Sequence, residues 1–368
     1  MSKTNRPAKK KGMESILAQK ERVIQFPSER SMGKLWIHDK VSQPLEDLWP
    51  ENGQYSKELG EARGIVIVPA NEDINLTVST DASTNLSAIT VLKSNDLQGI
   101  YLNGTQVSDV ELLYLRRLTS LQELGLSGTQ VSDAGLIHLK GLTSLQKLYL
   151  GGIQVSDAGL VYLKGLTSLQ VLDLYGTRVS DAGLIHIQEL TSLEELYLSD
   201  CTRVSDDGLA YLKGLTSLQK LDLHGTQVSD AGLKYLKGLT SLRLLVLVGL
   251  SVGDTGLPYL KELTSLQRLS LSSTKVGDTG LRYLKGLTSL QILDLMHTQV
   301  GDAGLEHLKG LTSLQTLHLS NTRISDAGLK YLRGLTSLQQ LFLYDTQVSK
   351  TGKAYLKNIL PKLEFHPL

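Results

Sequence analysis

From about residue 94 to the C-terminus, apolar and polar positions recur with a period of 24 residues. In the copy at 118–141, Leu121, Leu124 and Leu126 are apolar, and the residues beside them vary from copy to copy. Alternation of apolar and variable positions is typical of a short strand with one buried face. Each copy is therefore predicted to contribute one strand to a common sheet.

The second half of each copy has the features of a short helix. In the copy at 118–141, Ser132 can cap the first turn, and Asp133 lies where the helix dipole favours a negative charge. Leu136 and Leu139 are three residues apart and fall on one helical face. Gly141 follows, at a position where helices commonly end. The unit predicted by this pattern is one strand followed by one short helix.

The copies form a long array. Ten of them begin with Leu-Thr-Ser-Leu, at residues 118, 142, 166, 190, 215, 239, 263, 287, 311 and 335, and a divergent eleventh begins near Ser94. A period of roughly 20–50 residues is typical of a solenoid, in which neighbouring copies share one core. Strands stack at about 4.8 Å, whereas helices need about 10 Å. The predicted fold is therefore an α/β solenoid shaped as a horseshoe, with a concave parallel β-sheet and short convex helices.

The run L-x-x-L-x-L-x-x-T-x-V resembles the leucine-rich repeat pattern, whose hallmark position is usually Asn or Cys. Thr stands there in most copies and Cys201 in the fifth, whereas Ile153 and Leu250 depart from the pattern. The tail V-S-D-A-G-L-x-x-L is similar to that of bacterial leucine-rich repeat proteins and of F-box substrate adaptors. The resemblance covers about 94–368, and the adaptors imply a ubiquitin-ligase subunit as one possible function.

The flanks of the array predict further regions. Residues 1–30 are predicted to be a basic, disordered tail with a short helix around 13–25, and 31–93 a β-rich N-terminal cap. The predicted strands of the cap are Gly33–His38, Gly64–Pro69 and Ile74–Val78, the last being the first strand of the repeat sheet. Residues 94–358 form the eleven repeats, and 359–368 a C-terminal cap with a last strand at 361–365.

Composition narrows the function classes. The formal net charge is +1, so the whole chain is not expected to attract nucleic acid or an anionic membrane. Cys201 is the single cysteine, and no apolar run approaches the roughly 20 residues that span a bilayer. We therefore expect a monomer in the cytoplasm, without disulfides.

Catalytic and metal motifs are absent from the sequence. It lacks H-E-x-x-H, G-x-S-x-G, a complete P-loop and paired cysteines, so we predict no enzyme activity and no cofactor. Asp294, His297 and His318, on neighbouring copies, are expected to lie close enough to suggest a metal site, but without a third fixed ligand we predict none. A Tyr or His recurs at the helix position of His138, and an Asp at that of Asp133. Both follow the repeat, which favours a structural role over binding.

The variable outward positions of the strands are the best candidates for function. Tyrosines with a few charges are common at protein-binding hot spots, and Leu244, Val246 and Val248 suggest an exposed apolar patch. The predicted partner-binding residues are Tyr101, Tyr149, Asp173, Tyr175, Tyr197, Asp222, His224, Leu244, Val246, Val248, Asp294, His318, Phe342 and Tyr344.

These positions predict a non-enzymatic scaffold that binds a partner protein on its concave face. Two alternatives remain open: an F-box-like substrate-recognition subunit of a ubiquitin ligase, and a purely structural repeat protein. No F-box is identified in 1–93, because that region has too few amphipathic helices and too many strand-like runs.

Overall fold

The computed structural model describes residues 21–38 and 55–366. The chain divides into two compact units, with the division between Tyr149 and Leu150. In both units the sheet is assembled from short strands, and short helices lie between successive repeat strands in the chain.

The first unit contains an antiparallel pair of strands and a larger mixed sheet. Its strands are β1 Glu21–Gln25, β2 Gly33–His38, β3 Tyr55–Glu61, β4 Ile65–Pro69, β5 Ile74–Val78, β6 Gly99–Tyr101, β7 Glu123–Gly125 and β8 Lys147–Tyr149. β1 pairs with β4, and the larger sheet has the order β3-β2-β5-β6-β7-β8. β2 is antiparallel to β3 and β5, whereas β5 to β8 are parallel.

Short helices connect the parallel strands of the first unit. The α-helices are Thr80–Ser83, Asp109–Leu112 and Asp133–Leu136, and the 3-10 helices are Leu86–Val91, Leu113–Arg117 and Ile137–Leu139. The helix N-cap predicted at Ser132 is confirmed, because the Ser132 hydroxyl accepts a hydrogen bond from the Ala134 N–H at 3.4 Å. The acidic residue that follows each cap lies in the first turn, as the sequence predicts.

The second unit continues the repeat as a wholly parallel sheet. Its strands are β9 Val171–Asp173, β10 Glu195–Tyr197, β11 Lys220–Asp222, β12 Leu244–Val246, β13 Arg268–Ser270, β14 Ile292–Asp294, β15 Thr316–His318, β16 Gln340–Phe342 and β17 Glu364–His366, paired in chain order. Its α-helices are Asp157–Leu160, Asp181–Leu184, Asp206–Leu209, Asp278–Leu281, Asp302–Leu305 and Lys350–Ile359. Its 3-10 helices are Val161–Leu163, Gly232–Leu236, Leu257–Leu260, Glu306–Leu308 and Leu329–Gly334. The last strand, β17, lies at Glu364–His366, whereas the sequence predicted it at 361–365.

The N-terminal region follows the predicted strands but departs from the predicted tail. The strands predicted in 31–93 are present, and β5 pairs in parallel with β6, whereas β3 was not predicted. Residues 21–25 form a strand rather than the end of a helix, and Ile24 and Phe26 are buried. Disorder is therefore wrong for this part of 1–30, because two apolar side chains anchor it. The rest of that prediction, residues 1–20, lies outside the described residues.

The leucines at the fixed positions of the repeat form the cores of both units. In the copy at 118–141, Leu121, Leu124, Leu136 and Leu139 are completely buried, and their equivalents in the other copies are buried too, except that Lys353 takes the place of Leu136 in the last copy. Full burial of a leucine contributes roughly 1.5–3 kcal/mol relative to exposure. No single copy can cover these side chains, so each depends on its neighbours.

Hydrogen bonds accepted by the aspartate at the Asp133 position of a copy tie that copy to the next one, and we call this line of contacts the seam. Asp157 Oδ1 accepts from the Ser180 N–H at 2.7 Å, and Asp157 Oδ2 accepts from the Ser180 hydroxyl at 2.6 Å. The same two bonds join Asp109 to Ser132, Asp181 to Ser205, Asp206 to Ser229, Asp302 to Ser325 and Asp326 to Ser349. The aspartates therefore do more than begin a helix.

The seam adjusts where serine is replaced. Gly253 stands at the serine position and donates its N–H to Asp230 at 2.7 Å, while the hydroxyl of Thr255 bonds to the same carboxylate. Gly277 and Thr279 make the same two hydrogen bonds to Asp254. In these two copies a hydroxyl two residues further along thus replaces the one that is lost, whereas at Gly301, which donates its N–H to Asp278, the residue in that place is Ala303.

The hallmark threonines hold the turn after each strand. The Thr177 hydroxyl donates to the Leu174 carbonyl at 2.7 Å, and equivalent bonds occur in most copies. The buried Cys201 thiol donates to the Leu174 carbonyl at 3.1 Å, and burial raises the pKa of this thiol to about 11. Ile153 and Leu250 are buried and pack in the place of the hydroxyl.

Candidate functional site

The outward residues of the strands form rows across the sheet. In the second unit the third residues of neighbouring strands are paired. This middle row contains Asp173, Tyr197, Asp222, Val246, Ser270, Asp294, His318, Phe342 and His366. A second row, two residues further along the chain, includes Tyr175, His224, Val248 and Tyr344. We call the surface formed by these two rows the strand face of the second unit.

Many of the predicted partner-binding residues are buried and not available to a partner. The buried ones are Tyr101, Tyr149, Tyr197, Asp222, Leu244 and Val246. Neighbouring parallel strands lie only about 4.8 Å apart, so outward side chains in one row cover one another. The sequence predicted that these six residues are exposed, and this prediction is wrong.

The tyrosines show how this covering arises. A Cβ on Gly125 would lie 2.8 Å from Tyr101 Cδ1, so the Tyr101 ring lies over that glycine. The Tyr101 hydroxyl bonds to the Glu123 carboxylate. The Tyr197 hydroxyl likewise donates to Glu195 Oε2 at 2.7 Å. Both rings pack within the sheet, and their hydroxyls already donate hydrogen bonds to carboxylates of the protein.

The predicted apolar patch is also absent. Leu244 and Val246 are buried on β12, and Val248 is only half-buried. A patch that suggests a partner must be accessible to it. These three residues therefore fill the middle of the sheet and do not form an exposed apolar surface.

The accessible part of the predicted site lies in the second unit. Tyr344 is 57 % exposed and Tyr175 is 39 % exposed. The half-buried members of the set are Asp173, His224, Val248, Asp294, His318 and Phe342. A partner that approaches the strand face can reach these eight side chains.

The aspartates of the middle row bond to their own turns. Asp173 Oδ1 accepts from the Tyr175 N–H and Asp222 Oδ1 from the His224 N–H, both at 2.9 Å. Asp294 Oδ1 accepts from an N–H in the same relation at 3.0 Å. Burial raises the pKa of Asp173 to about 6, against the Tyr175 bond, and also raises the pKa of Asp222. One oxygen of each carboxylate is therefore committed to the turn.

Three rings stack on neighbouring strands at the C-terminal end of the sheet. The centroids of the His318 and Phe342 rings are 4.1 Å apart and the rings are nearly parallel, with an interplanar angle of 5°. The His366 ring stacks on Phe342 at 5.1 Å. We call these three residues the ring row. His366 was missed from the sequence, although it lies 24 residues after Phe342, which is one repeat length.

Polar groups adjoin the ring row. The Ser270 hydroxyl donates to Asp294 Oδ2 at 2.9 Å, and Asp294 is paired with His318 on the next strand. Burial lowers the pKa of His318, while the Asp294 charge opposes that change. His318 is therefore largely neutral near pH 7, and its ring stacks on Phe342 without a charge.

Other chemistry is not apparent in the described part of the chain. Across 21–38 and 55–366, His, Cys, Asp and Glu side chains do not gather in groups of three or more that could hold a metal ion. Every helix in these ranges is too short or too polar to cross a membrane. His297, considered with Asp294 and His318, occupies an exposed turn with a φ of 54°.

Comparison with known proteins identifies the repeat. One family model described as leucine rich repeat matches residues 288–348, and a second matches 189–213, 214–237 and 262–285. Comparison of the sequence with curated proteins gives no match.

Solved structures share the fold. An internalin from Listeria monocytogenes is 23 % identical, with a TM-score of 0.51, covering 78 % of this chain and 94 % of that one. A TDR receptor is 20 % identical, with a TM-score of 0.57, covering 74 % of this chain and 47 % of that one. Together with the 24-residue repeat and its parallel sheet, these matches show that the chain is a leucine-rich repeat protein.

Proposed function

We propose that this protein is a non-enzymatic module that binds a partner protein through the strand face of its second unit. Leucine-rich repeat folds are typical of protein–protein interaction modules. The residues that recur from copy to copy form the core and the seam, which leaves the variable strand positions for binding. The ring row and Tyr344 are the proposed centre of contact, because they combine accessible aromatic surface with a nearby carboxylate.

The single observation that carries the proposal is the stacked ring row. Aromatic side chains are enriched at binding hot spots because a large flat surface is buried at a small cost in conformational entropy. The stacking of Phe342 between His318 and His366 fixes these rings before a partner arrives. Tyr344, in the second row, is the most exposed aromatic side chain of the predicted set.

The test replaces Phe342 and Tyr344 together by alanine. We expect the double variant to lose partners that the wild-type protein captures, while its unfolding temperature falls by only a few degrees because neither ring is buried in the leucine core. A photo-crosslinking residue at position 344 should form covalent adducts with the same partners.

Tyr355 provides a matched control. It is 44 % exposed, but it lies on the helix Lys350–Ile359 and not on the strand face. Tyr355→Ala should keep every partner, and a crosslinker at 355 should give no adduct with them. Equal recovery by the double variant and the wild type would refute the proposal and favour a purely structural role.

A further inference from the structure

The first unit contains a polar cavity of about 240 Å³ on its parallel sheet. It is lined by Asp73, Asn75, Gln98, Gln122, Glu123, Gln146 and Lys147. Asn75, Glu123 and Lys147 stand in one row across β5, β7 and β8, and Gly99 completes the row on β6. This lining differs from the leucine core in consisting entirely of amide and charged side chains.

Gly99 leaves a gap in the row. The strands of Asn75 and Glu123 are separated by two strand spacings, about 9.6 Å, with only a glycine between them. The Asn75 amide leans into this gap, because a Cβ on Gly99 would lie 2.5 Å from Asn75 Oδ1. Glycine at 99 is therefore required for the amide to lie at the wall of the cavity.

The Asn75 amide has unused hydrogen-bonding capacity. Asn75 is 1 % exposed, and neither its Oδ1 nor its Nδ2 has a hydrogen-bond partner among the described residues. A buried polar group without a partner destabilises the fold, so such groups are rare in folded proteins. Asn103 shows the usual arrangement, since its Oδ1 accepts from the Ser127 N–H at 2.9 Å.

Other groups at the cavity are held in place. Gln98 Oε1 accepts from the Ile74 N–H at 2.9 Å and from Arg22 Nη2 at 3.1 Å. Glu123 Oε1 is 2.8 Å from Lys147 Nζ, and its other oxygen accepts from the Tyr101 hydroxyl. The surrounding groups are thus fixed, whereas neither the donor nor the acceptor of the Asn75 amide is paired among the described residues, so the amide can turn toward a ligand.

We propose that this cavity binds the carboxamide of an asparagine or glutamine side chain presented by a peptide. A carboxamide offers an acceptor oxygen beside an N–H donor, so two carboxamides can pair through two N–H···O bonds. A rotation about the side-chain bonds of Asn75 turns its amide from Gly99 toward such a ligand. A carboxylate in the same place would lack the donor and would meet two negative charges, on Asp73 and Glu123, against the one positive charge of Lys147.

The site stands apart from the ring row. It uses residues of the first unit alone, so it can be present whether or not the second unit binds a protein. Its specificity follows from hydrogen bonding, because a site built around a buried donor and acceptor rejects groups that leave one of them unpaired.

The test is an NMR titration of the full, isotopically labelled chain with N-acetylglutamine methylamide at pH 7. We expect the side-chain amide signals of Asn75 to shift and to saturate. N-acetylglutamate methylamide, which has the same shape, should bind at least tenfold more weakly. Methyl glucoside serves as a third probe, because vicinal hydroxyl groups can also pair with an amide.

Two variants separate binding from folding. Asn75→Leu removes the unpaired amide at nearly constant volume, so it should unfold at the same or a higher temperature and lose the titration. Asn103→Leu breaks a bond that the fold uses, so it should unfold at a lower temperature and keep the titration. Absence of any shift with the glutamine probe would overturn the proposal. Equal binding of the glutamate probe, or preferential binding of the glucoside, would overturn it too.

Discussion

The seam and the turns after the strands impose two different demands for glycine, and the chain meets them differently. At the seam the glycine is kept, because a Cβ on Gly183 would lie 2.4 Å from Asp157 Oδ1. At the turns the backbone needs a positive φ, which Gly176 adopts at 62° but Ser273 also adopts, at 58°. A clash with a hydrogen-bonded neighbour therefore constrains the sequence more than a local backbone preference does.

The turns without glycine are concentrated near the ring row. Glycine occupies the positive-φ position at 104, 128, 152, 176, 225 and 249, with Asp200 as the one exception among these turns, whereas Ser273, His297, Asn321 and Asp345 occupy it in the last turns. Non-glycine residues in this region cost on the order of 1 kcal/mol each. Each of them directly follows a residue of the second row. The backbone strain therefore occurs where the chain places a side chain, and not a glycine, beside the proposed contact surface.

The largest effect is expected from Gly183→Ala. The added methyl group must displace the Asp157 carboxylate or its two bonds to Ser180, so we expect a loss of roughly 2–4 kcal/mol in the free energy of unfolding. Chemical denaturation measures this. Gly165→Ala is the control, because nothing lies within 4 Å of its Cβ, and its effect should stay within about 0.5 kcal/mol.

The same substitution in an Asp157→Ala background sharpens the result. Asp157→Ala removes the two seam bonds but also clears the space that the Gly183 methyl group needs. The double variant should therefore be more stable than the sum of the single losses predicts, by about 1 kcal/mol or more. Strict additivity would mean that the methyl group meets something other than the carboxylate.

A smaller effect is expected from exchanging residues at the turns. Gly176→Ala forces a side chain into the left-handed region and should cost about 1 kcal/mol, whereas Ser273→Gly relieves it and should leave stability equal or higher by up to about 1 kcal/mol. Thermal unfolding of both variants measures the pair. If Ser273→Gly is destabilising, the serine side chain makes a contribution that outweighs the backbone cost.

The repeat made the fold predictable, because every copy repeats the same apolar positions. Leu121, Leu124 and Leu126 gave the strand, and Ser132 with Asp133 gave the helix start. The second role of the aspartate was not predicted. Its partners lie 23 or 24 residues away, and a pattern read within one copy contains no information about them.

The candidate site was harder to predict, because burial depends on neighbours in space. Tyr197 in the middle row and Tyr175 in the second row were both predicted to contact a partner, yet the first is covered within the sheet and the second is exposed. Glycines beside a tyrosine in the row, such as Gly125 beside Tyr101, decide where a ring can lie flat. Asn75 was overlooked for the same reason, since its significance depends on Gly99 in the next strand.

The smallest effect is expected from Asp173→Asn, which tests the electrostatics of the strand face. Because burial raises the pKa of Asp173 to about 6 in the folded protein, from 3.8, its favourable contribution is complete below 3.8 and is lost as the pH rises through about 6. Wild-type stability should therefore fall between pH 4 and pH 7 relative to the variant. Asparagine still accepts a bond from the Tyr175 N–H, so the turn is preserved.

The difference should be about 1 kcal/mol or less, because water still reaches part of the Asp173 side chain and screens its charge. Urea unfolding of both proteins at pH 4, 5.5 and 7 measures it, with Asp207→Asn, an exposed residue of the helix Asp206–Leu209, as the control. A wild-type stability that instead rises relative to the variant as the pH increases would reverse the sign and show that Asp173 is stabilised as an anion. In that case a cation, and not the Tyr175 turn alone, must hold the carboxylate on the strand face.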